Sequence, residues 1–111
     1  MDMKKTELVR GCADAMHVAE DGLEATLAAA RTALESLKAT KAGLGLTGTM
    51  GDAAIARWTE SVQALEEACE AMRLSHGEAY RVVKTVNIRG TAIGPINDTR
   101  GFAAPEERNV A

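Results

Sequence analysis

A glycine-rich segment at residues 43–52 separates two runs of similar length and composition. Both runs are rich in alanine, leucine and glutamate, and apolar residues recur in them three or four positions apart, as on one helix face. The segment between them contains Gly43, Gly45, Gly48 and Gly51. Glycine at this density favours a turn over a continuous helix. The pattern predicts an all-α chain in which helices at residues 6–42 and 50–87 form an antiparallel hairpin.

Residues around the turn have individual predicted roles. Gly43 is expected to be the left-handed residue that ends the first helix, and Gly48 is expected to lie in the turn. Thr49 and Asp52 stand three positions apart, which is typical of a capping box at the start of a helix. The second helix is therefore expected to begin close to Thr49.

The apolar stripes predict where the two helices pack. The first stripe runs through Leu8, Cys12, Ala15 or Met16, Ala19, Leu23, Leu27, Ala30, Leu34 and Leu37. The second alternates steps of three and four, as in a coiled coil, through Ile55, Trp58, Val62, Leu65, Cys69, Met72, His76, Ala79, Val83 and Val86. The residues expected to contribute most to packing are Leu23, Leu27, Leu34, Ile55, Trp58, Val62, Leu65 and Met72.

Composition limits the classes of function. Hydrophobic residues form 46% of the chain but aromatic residues only 3%, so two helices alone bury little, and a protein partner is expected. A formal net charge of -3 argues against nucleic-acid binding, which needs a basic face. No apolar stretch has the length of a membrane span, and no signal peptide is expected at the start.

The two cysteines are predicted to be free thiols. In the hairpin register, Cys12 and Cys69 would lie roughly 20 Å apart along the helices, too far for a disulfide. Both are interpreted as small buried apolar residues.

We find no sequence motif for catalysis, phosphate binding or zinc binding, so neither an enzyme nor a cofactor is expected. In the hairpin register His17 and His76 lie at the same level, with Glu20 one turn from His17 and Glu78 nearby in sequence. A zinc site or a pH-sensitive site is one interpretation. A histidine in a helix seam, hydrogen-bonded to a neighbour, is the commoner arrangement and is favoured here. The acidic residues, Glu20 included, are interpreted as solvated outer faces.

Residues 88–111 differ in character from the hairpin predicted for residues 1–87. They include Gly90, Gly94, Pro95, Gly101 and Pro105, which exclude a regular helix across the whole segment. Because they also contain isoleucines and a phenylalanine, either an extended arm that docks on another surface or a disordered end is expected.

The segment L-T-G-T-M-G-D-A-A-I-A-R-W at 46–58 and the segment H-G-E-A-Y at 76–80 resemble the WXG superfamily of helical-hairpin proteins exported by type VII secretion. Leu46-Thr47-Gly48 stands where that family has an aromatic-x-Gly turn. Near the end of the second helix, Tyr80-x-x-x-Lys84 stands where the family has Tyr-x-x-x-Asp/Glu, part of its export signal. The resemblance therefore implies a recognition role for Tyr80.

The resemblance also implies a function. It implies a non-enzymatic protein that pairs with itself or with a helical-hairpin homologue to complete a four-helix bundle. Such a protein acts as a secreted factor or as a small targeting partner of a larger secreted protein. Such a protein would be cytoplasmic before secretion without a signal peptide. The alternative is a structural subunit of a phage or injection-machine particle, in which the arm at 88–111 docks on a neighbouring subunit.

Overall fold

The computed structural model describes residues 2–89 of the chain, and side chains within residues 4–86. This range consists of two helices without a strand: α1 spans Asp2–Gly43 and α2 spans Asp52–Arg89. The all-helical class and the two helices are as predicted. Contacts divide the chain into two compact units. We call Asp21–Glu70 the turn unit, and the described residues of Met1–Glu20 and Ala71–Ala111 the terminal unit.

Both helices have different bounds from those predicted. The first begins at Asp2 rather than residue 6, because residues 2–5 contain no glycine or proline that would stop it. The second ends at Arg89 rather than residue 87, so residues 88–89 are helical and do not belong to an irregular arm. The rest of that predicted arm, residues 90–111, lies outside the described residues.

The turn contains three left-handed glycines, and Gly43 is not one of them. Gly45, Gly48 and Gly51 have φ angles of 67°, 64° and 89°. Gly43 is instead the last residue of α1, so its predicted role as the left-handed cap is wrong. Helical hydrogen bonding continues past it, because the Leu44 N–H donates to the Thr40 carbonyl at 2.9 Å. Only then does the backbone reach the left-handed conformation.

The start of α2 is set by Gly51 and Asp52. The left-handed φ of Gly51 keeps it out of the helix, and the Ile55 N–H donates to its carbonyl at 3.2 Å. Thr49 accepts the Asp52 N–H through its main-chain oxygen at 3.0 Å. The Asp52 carboxylate pairs with Lys41. The helix therefore begins two residues after residue 50, and Asp52 links it back to α1.

The core of the turn unit is small and apolar. Leu27, Ala30 and Val62 are buried, and Leu34, Leu65 and Cys69 pack against them. These side chains come from both helices, so the turn unit is a helical hairpin held by a seam of medium-sized residues.

The seam of the terminal unit differs from the predicted stripe. Leu8 is 68% exposed and Cys12 is exposed, whereas Ala13 is buried. The inward face therefore runs through Ala13, His17 and Glu20. Sequence reasoning followed the apolar residues, but in this unit a pair of polar side chains faces the second helix.

Candidate functional site

Trp58 occupies an unusual position on the turn unit. Its indole N–H donates a hydrogen bond to the main-chain carbonyl of Ala30 at 2.8 Å, which joins α2 to α1. The residue nevertheless remains 39% exposed. It was predicted as a seam residue, and it lies instead at the edge of the seam. Its single polar atom is satisfied within the chain, and part of its ring faces solvent.

A groove of about 310 Å³ runs beside this ring. It is lined by Ala33, Ser36, Leu37, Thr40 and Trp58. The residues from α1 are small apart from Leu37, and the small ones, Ala33, Ser36 and Thr40, are three and four positions apart along one helix flank. Small side chains let another helix approach closely, and the indole provides a large apolar contact at the edge. We call this surface the Trp58 face.

Polar contacts hold the two helices of the turn unit in register. Arg31 and Glu66 form an ion pair at 2.7 Å. Nearer the turn, the Lys41 ammonium donates to the Gly48 carbonyl at 3.1 Å and also bonds the Asp52 carboxylate. Lys41 therefore connects the end of α1, the turn and the start of α2, and it fixes the backbone that leads to Trp58.

The remaining predicted packing residues are divided between the two units. In the turn unit, two of these residues are buried, Leu27 and Val62. Four more are half-buried: Leu23, Leu34, Ile55 and Leu65. Met72 is half-buried in the terminal unit. Leu44 and Met50, near the turn, are exposed.

The terminal unit contains an imidazole cluster, formed by the buried His76 and the half-buried His17 and Glu20. The two imidazole rings stack with centroids 5.0 Å apart and an angle of 30° between their planes. His76 is only 3% exposed, and its Nδ1 lies 2.6 Å from a carboxylate oxygen of Glu20. Because a carboxylate accepts, Nδ1–H of His76 is the donor. Glu20 is therefore not on a solvated outer face as predicted; its side chain is 14% exposed.

The second histidine of this cluster has an unsatisfied nitrogen. Nε2 of His17 is buried, and no hydrogen-bond partner for it lies among the described residues. The hairpin register predicts that the two histidines lie at the same level along the helices, and their ring contact agrees with this prediction. Within residues 2–89, no group of three or more histidine, cysteine, aspartate or glutamate side chains is arranged to hold a metal ion.

The two cysteines are free, as predicted, but they differ in environment. Cys69 packs against the core of the turn unit. Cys12 is exposed, so its interpretation as a buried apolar residue is wrong. Cys12 is exposed because its neighbour Ala13 occupies the inward face of the terminal unit.

Tyr80 and Lys84 interact on α2 within the terminal unit. The Lys84 ammonium lies 5.7 Å from the centre of the Tyr80 ring, within the range of a cation–π contact. Tyr80 is half-buried. Lys84 stands at the position where the WXG resemblance implies an acidic residue, so a cation contacts the tyrosine ring there.

No protein-family model, curated protein or solved structure significantly matches this chain. In the part that the structure describes, neither helix has a segment both long and apolar enough to span a bilayer.

Proposed function

We propose that this chain is a non-enzymatic helical interaction protein, a WXG-like secreted factor or small targeting partner of a larger type VII secretion substrate. It pairs with a second copy through the Trp58 face and so completes a four-helix bundle. The observation that supports this most is Trp58, whose N–H is bonded to Ala30 while its ring remains 39% exposed.

The chemistry of the Trp58 face suits a helical partner. A tryptophan with its N–H already satisfied brings apolar area to an interface without leaving a buried donor unpaired. Tryptophan is also among the residues that contribute most to binding energy at protein interfaces. Beside it, Ala33, Ser36 and Thr40 leave room for the backbone of a second helix.

The small core supports the same proposal. Among the described residues, no large side chain is fully buried, and the buried hydrophobic residues are Ala13, Leu27, Ala30 and Val62. Several large apolar side chains are exposed: Leu44, Met50 and Trp58 in the turn unit and Leu8, Val18, Leu74 and Val82 in the terminal unit. Pairing would remove part of this surface from water, which is the main favourable term in association.

The proposed partner is a second copy of the same chain. Two-fold pairing presents the same surface on both subunits, so each copy brings both an exposed indole and the small α1 side chains beside it. On this arrangement the Trp58 ring of each copy covers small α1 residues of the other.

The test is a charge placed in the groove. Ser36 lines the groove and is exposed, so Ser36→Glu leaves the helical fold intact and buries a carboxylate if a second copy covers the face. Ala28→Glu is the matched control, because Ala28 is exposed on α1 and does not line the groove. Light scattering during gel filtration should show a dimer for the wild type and Ala28→Glu, and a monomer for Ser36→Glu. Equal masses for all three proteins would refute the proposed face.

The export part of the proposal rests on the resemblance at Tyr80 and has its own test. In the native host, Tyr80→Ala should reduce the exported fraction of the chain at least tenfold, while Tyr80→Phe retains most of it because the ring remains. Circular dichroism checks that both variants stay helical. Export of Tyr80→Ala at the wild-type level would exclude this residue as a recognition signal, and it would leave the pairing proposal unaffected.

A further inference from the structure

The terminal unit has an apolar surface that the proposed pairing does not use, because the Trp58 face belongs to the turn unit. Part of this surface is a groove of about 210 Å³ between the two helices, lined by Met16, Ala19, Glu20, Met72 and Ser75. We call it the methionine groove. Its one charged side chain, Glu20, already accepts a hydrogen bond from His76, so the rest of the lining suits an apolar side chain.

A strip of small and apolar side chains leads from the methionine groove toward the end of α2. Its members stand three or four positions apart on one flank of the helix: Ser75, Ala79, Val82 and Val86. Val82 is 62% exposed. Val82 and Val86 also line a second groove, of about 350 Å³, together with Glu78, Arg81 and Thr85. The strip therefore offers apolar surface that another segment can cover.

We propose that the strip and the methionine groove are covered by the segment of the same chain that follows α2. Helix α2 ends at Arg89, and residues 90–111, which lie outside the described part, continue from it. Gly90 and the pair Gly94-Pro95 come first, and glycine and proline favour a change in chain direction. Residues 96–102 then return along the strip, and Phe102 enters the methionine groove.

The chain after α2 is long enough for this return. Met72 precedes Arg89 by about 25 Å along the helix. From Arg89 to Phe102 an extended chain spans up to about 43 Å, so enough length remains for the reversal. Tethering also raises the effective concentration of the segment to roughly the millimolar range. The segment of the same molecule therefore outcompetes that of a second copy in dilute solution.

The spacing of residues 96–102 matches that of the strip. Alternate side chains of an extended segment share one side, so those at even positions face the helix together: Ile96, Asp98, Arg100 and Phe102. Two extended residues advance about 6.6 Å, which is the rise of roughly four helical residues. With Ile96 level with Val86, Phe102 comes level with residues 72–75, where the methionine groove lies.

In this register the two charged side chains of the returning segment meet opposite charges. Asp98 comes level with Arg81, and Arg100 comes level with Glu78. Both of these α2 residues are exposed and line the second groove. Exposed ion pairs contribute little stability, so we assign these pairs to the alignment of the segment and not to its affinity.

Phe102 contributes most of the affinity in this arrangement. It is the only phenylalanine of the chain. The methionine groove measures about 210 Å³, and an apolar cavity of about 150 Å³ is already large enough to bind benzene. Methionine is flexible and its sulfur makes favourable contacts with aromatic rings. Met16 and Met72 therefore suit an aromatic side chain between them.

Paired cysteines test the return in a full chain whose own thiols are removed by Cys12→Ser and Cys69→Ala. With Val82→Cys and Asp98→Cys, mild oxidation of dilute protein should form a disulfide within one chain. The control pair is Lys84→Cys with Asp98→Cys, because Lys84 is exposed, lies near Val82 in sequence and lines neither groove. The first pair should react at least about tenfold faster than the control.

Equal rates for the two cysteine pairs would overturn the proposal. A disulfide that joins two chains, recognised by its doubled mass without reductant, would overturn it as well. In that case a neighbouring copy, and not the same chain, would cover the strip.

Methionine methyl signals in the full chain give a second test, which needs no cysteine. Phe102→Leu keeps an apolar side chain but removes the ring, whose magnetic field shifts nearby methyl signals. The signals of Met16 and Met72 should move, whereas that of Met50, exposed in the turn unit, should not. Ser36→Glu, which tests the pairing, should leave the methyl signals of Met16 and Met72 as in the wild type. Unchanged Met16 and Met72 signals in Phe102→Leu would contradict the proposal.

Discussion

The indole N–H of Trp58 and the main-chain carbonyl of Ala30 form a hydrogen bond of 2.8 Å between the two helices of the turn unit. Trp58→Phe removes the donor and keeps an aromatic ring. We expect the free energy of unfolding to fall by about 1 kcal/mol, the usual net contribution of one such bond. Urea unfolding monitored by circular dichroism measures it. An unchanged midpoint and slope would show that this bond does not stabilise the turn unit.

Leu27 and Leu44 allow the same substitution to be compared at a buried and at an exposed position. Leu27 is 8% exposed in the core, and Leu44 is 68% exposed beside the turn. Leu27→Ala should cost about 2 to 4 kcal/mol, because it leaves a cavity. Leu44→Ala should change stability by less than about 0.5 kcal/mol. Thermal or urea unfolding measures both, and similar losses at the two positions would contradict the assigned core.

Two glycines should respond in opposite directions to alanine. Gly48 has a φ of 64°, so Gly48→Ala should destabilise by about 1 to 2 kcal/mol through left-handed strain. Gly22 lies inside α1, and a Cβ there would meet nothing within 4 Å. Gly22→Ala should therefore stabilise by about 0.5 to 1 kcal/mol. Unfolding midpoints measure the pair, and a stabilising Gly48→Ala would mean that the turn is built differently.

Lys41 should matter more than another lysine close to it on the same helix. Its ammonium binds Asp52 and the Gly48 carbonyl, whereas Lys38 pairs only loosely with Glu35, at 3.4 Å, on an exposed surface. Lys41→Met should cost about 1 kcal/mol, with a smaller loss in high salt. Lys38→Met should cost less than about 0.5 kcal/mol. Equal effects in urea unfolding would argue against the bridging role of Lys41.

Some features of the fold follow directly from the spacing of residues. The alternation of three and four in the second run contains Val62, Leu65 and Cys69, and the structure places these side chains in or against the core of the turn unit. The glycine segment interrupts the helices because its residues adopt left-handed conformations. The spacing of apolar residues and the backbone preference of glycine are local properties, so both can be read from a single sequence.

Other features depend on geometry that spacing does not contain. The apolar stripe pointed to Leu8, whereas Ala13 and the polar pair of His17 and Glu20 face inward. A polar residue can occupy a seam when a partner satisfies it, and the partner, His76, is 56 positions from Glu20. The contact between Trp58 and Ala30 likewise depends on how closely the two helices approach.

The fluorescence of Trp58, measured together with molar mass across a dilution series, tests the proposed pairing most directly. Trp58 is the only tryptophan, so its emission and its quenching by acrylamide report on this face alone. We predict a mass of twice 11.7 kDa at high concentration, with shielded, blue-shifted emission. Dilution should halve the mass and expose the ring over the same range, and Ser36→Glu should behave as the dilute form at every concentration. A folded chain of 11.7 kDa with an equally accessible Trp58 throughout would contradict the account.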